Sequence, residues 1–134
     1  MKNLKLFLVA LVLLFSTLSS CETSGEPVKD VKGILTSKPW YFFSVDGKEA
    51  YDCNKQTNMR FLENGTLEID EYIRERDYTC SGPHRHTYQY KVLENNTQIE
   101  WEGEIFTIVK LTDKEFIKST NRNGQDIYWV YLRY

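Results

Sequence analysis

The chain has few residues of the types that build reactive sites. It holds two histidines and three cysteines in 134 residues, and the motif Gly-x-Ser-x-Gly does not occur. Nucleophilic catalysis needs a nucleophile, a base and a group that orients the base. The sequence offers no such set, so we expect a protein that is not an enzyme and that needs no cofactor.

Long apolar runs and basic blocks are also missing. The longest apolar run, residues 6–15, is shorter than the ~20 residues that a helix needs to cross a bilayer. Without Lys2 and Lys5, which lie in the N-terminal segment, the chain carries 15 basic and 19 acidic residues. A nucleic-acid-binding domain would show a cluster of basic residues. We therefore expect no membrane-spanning helix and no nucleic-acid partner.

The N-terminal segment predicts export. Lys2 and Lys5 precede the apolar run, small residues follow it, and Leu-Ser-Ser-Cys ends at Cys21. A basic start, an apolar centre and small residues at the cut are the marks of a secretory signal. The Leu-Ser-Ser-Cys sequence resembles the bacterial lipobox. The resemblance implies a mature lipoprotein in which Cys21 is lipid-modified, with palmitate among the attached acyl chains. The alternative is an ordinary secreted protein that is cut near a cysteine.

Three regions follow from this interpretation. Residues 1–20 are the signal peptide, residues 21–32 are the lipidated N-terminus with a flexible tether, and residues 33–134 form one domain. The expected location is the outer membrane, with the protein held by its lipid on the periplasmic face or the cell surface. A short helical turn is expected at residues 31–37.

The remaining two cysteines, Cys53 and Cys80, form an even pair in an exported chain. Oxidising compartments favour disulfides, so a Cys53–Cys80 bridge is the preferred interpretation. The alternative is two reduced or metal-bound thiols.

Short aromatic and β-branched runs separated by turn signals fill the chain from Lys38 onward. Asp46-Gly47 predicts a tight hairpin, and residues 57–62 and 66–70 alternate so that they should pair with each other. About eight strands result, with no helical period between them. This pattern predicts an all-β protein, either a sandwich or an antiparallel barrel.

An up-and-down barrel is the favoured architecture, because each turn joins neighbouring strands and closure removes exposed strand edges. Eight strands enclose an interior that side chains can fill or that one small ligand can occupy. A small or collapsed cavity is expected. The candidates to fill it are Trp40, Phe61, Tyr90, Trp101, Phe106 and Trp129.

Several pieces of the chain together resemble the lipocalin-like domains of Bacteroidetes-type lipoproteins. They are Trp40 with Ser44-Val45-Asp46-Gly47-Lys48, Cys53, residues 60–66, Cys80, residues 106–113 and the aromatic last strand. Lipocalins begin their first strand with Gly-x-Trp, and a late arginine packs across that tryptophan. The resemblance implies that Arg133 packs on Trp40, although Lys38 stands where lipocalins have glycine.

Two functions are open at this level. The first is a binding module whose open barrel end takes a small apolar or amphipathic molecule. The second is a protein-interaction module, such as a hydrolase inhibitor or an accessory subunit of an envelope complex. The second predicts a filled barrel and an exposed patch, for which the predicted loop at residues 74–86 is the candidate.

The only cluster of reactive types is Cys80-Ser81-Gly82-Pro83-His84-Arg85-His86. In an extended segment His84 and His86 point the same way and could share one Zn²⁺ or Cu²⁺. The third ligand would be Cys80, Asp77 or a residue across the sheet. Since a disulfide would remove Cys80, we expect a mobile loop with two exposed histidines and no metal.

Overall fold

The computed structural model describes residues 30–93 and 95–134. The predicted signal peptide 1–20, the lipidation residue Cys21 and most of the predicted tether lie outside the described residues. Helix α1 (Val31–Thr36) comes first, so helical structure starts just before the predicted domain boundary at residue 33. Asp30 caps the helix by accepting a hydrogen bond from the backbone N–H of Gly33. The described residues contain no helix that is long and apolar enough to cross a membrane.

Nine antiparallel strands follow α1, and a 3₁₀ turn (Asn54–Gln56) separates the second from the third. The strands are β1 (Trp40–Val45), β2 (Lys48–Glu49), β3 (Asn58–Phe61), β4 (Thr66–Arg74), β5 (Cys80–Val92), β6 (Gln98–Trp101), β7 (Glu104–Leu111), β8 (Glu115–Arg122) and β9 (Gln125–Leu132).

Eight of these strands close into an up-and-down barrel. From β3 to β9 each strand pairs with the next, while β1 pairs with both β3 and β9. The closing register runs from Tyr41↔Leu132 to Val45↔Trp129. Strand β2 pairs with β1 alone, outside this ring. The predicted all-β barrel of about eight strands is confirmed.

Tight turns hold the meander together where the sequence predicts them. Asp46 and Gly47, both with positive φ, join β1 to β2. Asn123 and Gly124 do the same between β8 and β9. Two adjacent residues with positive φ match the twist of the paired strands, and this explains the use of Asp-Gly and Asn-Gly. The predicted hairpin of β3 with β4 is also present.

The segment from Cys80 to His86 is a strand, so the predicted loop at residues 74–86 is wrong for most of its length. Strand β5 begins at Cys80 and pairs with β4 in a long hairpin. A β-bulge opposite Tyr72 accommodates Gly82-Pro83, the local turn signal that suggested a loop. A Cβ atom on Gly82 would lie 2.6 Å from the carbonyl oxygen of Glu71, so the bulge requires glycine there. Only the connection at residues 75–79 remains a loop.

The Cys53–Cys80 disulfide is present and joins the 3₁₀ turn region to the start of β5, with the two Cα atoms 5.5 Å apart. It ties the upper part of the long hairpin to the chain segment between β2 and β3. The prediction of this bridge is confirmed.

Candidate functional site

One end of the barrel is sealed by α1 and a cation–aromatic contact. Trp40 is completely buried, and its indole N–H donates to the carbonyl oxygen of Leu35 at the end of α1. The Arg133 guanidinium lies 3.5 Å from the centre of the Trp40 ring. The predicted packing of Arg133 on Trp40 is therefore confirmed, with Lys38 in place of the lipocalin glycine.

Arg133 also ties the helix to the last strand. Its guanidinium donates to the backbone carbonyl oxygens of Ile34, Leu35 and Lys38 and to the hydroxyl of Ser37. These carbonyl groups lie at or just beyond the end of a short helix, where backbone acceptors lack helical partners, although Ile34 also accepts from the backbone N–H and the hydroxyl of Ser37. Arg133 therefore fastens α1 over this end of the barrel, which we call the sealed end.

At the opposite end the strands of the barrel wall extend to different lengths. The β4–β5 hairpin is long, whereas β6 and β7 are joined early by a turn at Glu102 and Gly103. Strand β6 pairs with β5 only from Tyr90 to Val92, so the first part of β5 has no partner on its β6 side. A depression of about 450 Å³ lies where the two strands diverge, and Tyr90, Trp101 and Gly103 are among its lining residues. We call this end of the barrel the open end.

Aromatic side chains fill the barrel between its ends. The Phe61 ring makes edge contacts with Tyr90, Trp101 and Phe116, and Trp101 stacks on Phe106 at 4.2 Å. Five of the six predicted core aromatics are buried, the exception being Trp129, which is half-buried. The small or collapsed cavity that the sequence predicts agrees with this packing. Side chains therefore occupy the middle of the barrel.

Half-buried apolar side chains line the open end. They pack against the core on one side and reach the surface on the other, in contrast to the fully buried rings below them. They come from four different strands: Phe42, Ile69, Tyr88 and Trp129. Burial raises the pKa of the Tyr88 hydroxyl, with further contributions from Glu102 and Glu71. The surface there is apolar with acidic groups at its edge.

A lysine that is not among the predicted site or core residues lies inside the barrel at this end. Lys118 on β8 is only 5% exposed. Its Nζ lies 3.5 Å from the ring centre of Phe106, 4.3 Å from that of Trp101 and 4.7 Å from that of Trp129. In the described part of the chain, Lys118 Nζ forms no hydrogen bond and no ion pair. Its amino group lies among aromatic faces.

Burial lowers the pKa of Lys118 to about 7. The cost of removing an ammonium from water is the largest cause, and the charge of Arg122 adds to it, while Glu104 acts in the opposite direction. Glu104 is 3.1 Å from the Arg122 guanidinium, through both carboxylate oxygens. The nearest acid on this wall is thus paired with another cation.

The histidines lie on the facing wall. His86 Nε2 is 3.4 Å from a carboxylate oxygen of Glu71, and its ring stacks parallel to that of Tyr88. His84 Nε2 lies 3.0 Å from the Ser81 hydroxyl. Both belong to β5 rather than to a mobile loop, which corrects the expected setting. Residues 30–93 and 95–134 contain no group of three side chains placed to hold a metal ion.

A second surface feature lies beside the disulfide. The Arg74 guanidinium is 3.9 Å from the ring centre of Tyr51 and 4.4 Å from that of Tyr78. These rings are 63% and 75% exposed, and the same residues line an open depression with Asn54 and Glu75. Within the predicted patch at residues 74–86, only this end has exposed aromatic side chains.

The alternation of side chains along β8 indicates that Lys118 points into the barrel. Phe116 is completely buried and points inward. Side chains two apart on a strand share a face, so Lys118 must point inward as well. The predicted filling residues are aromatic, and Lys118 is not among them.

Comparisons with known proteins bear on the fold. No family model matches the chain, and no curated protein matches it in sequence. Among solved structures, it is similar to Japanin from Rhipicephalus appendiculatus, a structure described as bound to cholesterol, with a TM-score of 0.57 and 8% identity. The match covers 74% of this chain and 76% of Japanin. At this identity the likeness establishes a lipocalin-like fold.

Proposed function

We propose that this protein is a lipid-anchored bacterial envelope protein that binds a small apolar or amphipathic ligand at the open end of its barrel. The observation that carries the proposal is the line of half-buried apolar side chains at that end, above a filled core and opposite a sealed base. Ligand sites are concave and mostly apolar, with a few polar groups that orient the ligand.

The filled interior determines where such a ligand can lie. Phe61, Phe106 and Phe116 occupy the middle of the barrel, so a ligand would rest on them rather than pass between them. The cholesterol-bound state of Japanin supports a small apolar ligand only by analogy of fold, because the same fold hosts unrelated functions.

The envelope location rests on the N-terminal sequence. The segment ending at Cys21 resembles a lipoprotein signal, and the Cys53–Cys80 disulfide is consistent with an oxidising compartment. The protein should therefore be acylated and remain with membranes. Mass spectrometry of the mature N-terminus and membrane fractionation of a Cys21→Ser variant test this. A mature chain that begins elsewhere and carries no lipid would contradict the anchor.

Ligand binding is tested by purifying the native protein from membranes and identifying co-purifying small molecules by mass spectrometry. The variant Ile69→Gln places an amide among the apolar side chains of the open end and should reduce the bound amount several-fold. The matched control Val109→Gln changes an exposed apolar residue on the outside of β7 and should not. Equal ligand content in both variants, or none in the wild type, would refute binding at this end.

A protein-interaction role is the second candidate, because the filled barrel and the exposed Tyr51–Arg74–Tyr78 cluster meet its expectations. Tyrosine and arginine are enriched at the energetic centres of interfaces. A protein that co-purifies stoichiometrically, and is lost in Tyr78→Ser but kept in Tyr128→Ser, would support this role. Purification of the native protein alone would refute it.

A further inference from the structure

Lys118 is the one feature of the open end that barrel stability does not explain. A fully buried lysine is rare unless it is paired, because removing an ammonium from water costs free energy. Lys118 is 95% buried. A leucine or methionine would fill the same position beside Trp101 and Phe106 without that cost. The lysine is thus a group with a cost to stability and no partner within the described chain.

The aromatic faces stabilise the charged form without neutralising it. A lysine over aromatic rings gains about 0.5 to 2 kcal/mol from the ring quadrupoles. Three rings within 5 Å hold Nζ in one place, yet its proton donors remain free for an acceptor. The position is therefore prepared for an anion that arrives from outside.

The acidic groups around Lys118 are close to other partners, so none of them neutralises its ammonium group. On its own wall Glu104 is paired with Arg122. On the facing wall Glu71 is close to His86, and Glu102 lies near the Tyr88 hydroxyl. Glu104 and Glu71 each have a basic neighbour at the opening, whereas Lys118 forms no ion pair with either.

We propose that Lys118 is the anchor for the carboxylate of an amphipathic ligand, whose apolar part lies against Phe42, Ile69, Tyr88 and Trp129. This proposal rests on the proposed function, since it names the ligand class of the same site. The carboxylate accepts a hydrogen bond from Nζ and replaces the water lost on burial.

A carboxylate fits better than other head groups. A phosphate ester carries nearly two charges and three acceptor oxygens, which arginine clusters match better than one ammonium. A neutral hydroxyl head would leave the ammonium uncompensated.

The site also predicts how affinity depends on pH. In the free protein the pKa of Lys118 is about 7, because burial disfavours the charge. A bound carboxylate favours the charged form of Lys118, so binding raises this pKa. Above pH 7 the lysine therefore has to take up a proton when the carboxylate binds. Affinity for the carboxylate should therefore be highest below pH 7 and fall as pH rises, whereas an exposed lysine would stay charged to about pH 10.

The experiment compares decanoate with 1-decanol, which differ in the head group and share the tail. The full chain, processed and purified from membranes, is placed in lipid nanodiscs, with empty nanodiscs as the blank. Binding is followed by tryptophan fluorescence from about pH 6 to about pH 9. The variants are Lys118→Met, Lys118→Arg and the matched control Lys114→Met, which changes an exposed lysine at the sealed end.

We expect decanoate to bind at least about tenfold tighter than decanol near pH 6, a difference of about 1.4 kcal/mol. The gap should narrow as pH rises, disappear in Lys118→Met, and persist in Lys118→Arg and Lys114→Met. If Lys118→Met does not fold, the head-group preference and pH profile of the wild type still decide.

Three results would overturn the proposal, and they are distinguishable. Equal binding of decanoate and decanol that Lys118→Met leaves unchanged would exclude the anchor while keeping apolar binding at the open end. No binding of either ligand would count against the proposed function itself. A decanoate preference that stays constant to about pH 9 would assign the recognition to a different, exposed cation.

Discussion

The contact of Arg133 with Trp40 should be the most sensitive point at the sealed end. In Arg133→Met the apolar stem remains while the guanidinium is lost. Stacking over tryptophan is worth about 1 to 2 kcal/mol. Hydrogen bonds from a charged donor are worth about 1.5 to 3 kcal/mol each, less where solvent reaches the group. Since only the Ile34 and Leu35 acceptors are partly buried, we expect a total loss of about 3 to 5 kcal/mol.

The assay is urea unfolding followed by tryptophan fluorescence, with amide hydrogen exchange measured over α1. Arg133→Lys keeps the charge but lacks the planar guanidinium with its several donors. It should therefore recover less than half of the unfolding free energy that Arg133→Met loses. The control Arg76→Met changes an exposed arginine in the loop between β4 and β5 and should leave the unfolding midpoint unchanged. Exchange in α1 should accelerate in Arg133→Met ahead of exchange in the strands.

A loss below about 1 kcal/mol in Arg133→Met would refute this account, because that is the size of one ordinary hydrogen bond. So would full stability in Arg133→Lys, since it would mean that charge alone, and not the fork across several carbonyl groups, holds the helix.

Three further predictions concern the disulfide, the interior lysine and a surface pair. Replacing Cys53 and Cys80 together with alanine should cost about 3.5 kcal/mol in the chain-entropy model for a separation of 27 residues, and reduction of the wild type should shift its urea midpoint equally. Because the folded pKa of Lys118 is about 7 and the unfolded value about 10.5, the unfolded state binds more protons between them. Wild-type stability should therefore rise with pH in that window relative to Lys118→Met, by about 1.4 kcal/mol per pH unit, and urea titrations showing parallel curves would contradict this. The Arg85 guanidinium donates two hydrogen bonds to Asp70 and holds the pKa of that carboxyl below its usual range. In Arg85→Ala, the pKa of Asp70 measured by NMR titration should return toward the usual range, with little change in the unfolding midpoint because Arg85 is exposed.

The barrel could be predicted because the sequence signals that specify its strands and turns lie within short stretches of the chain. Alternation in residues 57–62 and 66–70 orients Phe61 and Leu67 inward, and the glycine-containing turns at Asp46 and Asn123 specify where strands reverse. Each of these signals involves residues that are neighbours in the chain. In the same meander β1 and β9 would be left with unpaired edges, and pairing them with each other removes those edges and closes the barrel.

The start of β5 could not be predicted in this way. Gly82-Pro83 is a strong local turn signal, yet the pairing of β4 with β5 extends beyond it to Arg74↔Cys80. The pairing on both sides of the bulge, together with the disulfide, overrides the local preference. Those contacts join residues distant in sequence, and no short window contains them.

The two cation–aromatic contacts at opposite ends of the barrel show why the same chemistry serves different roles. Arg133 lies over Trp40 with its donors distributed among four acceptors, so it is committed to the fold. Lys118 lies among three aromatic rings with no acceptor from the described chain, so its capacity to bind an anion is unused. Stability accounts for the first and not for the second. The barrel holds α1 over one end through the hydrogen-bonded Arg133 and keeps Lys118 without an acceptor near the other, so the proposed ligand is expected at the Lys118 end.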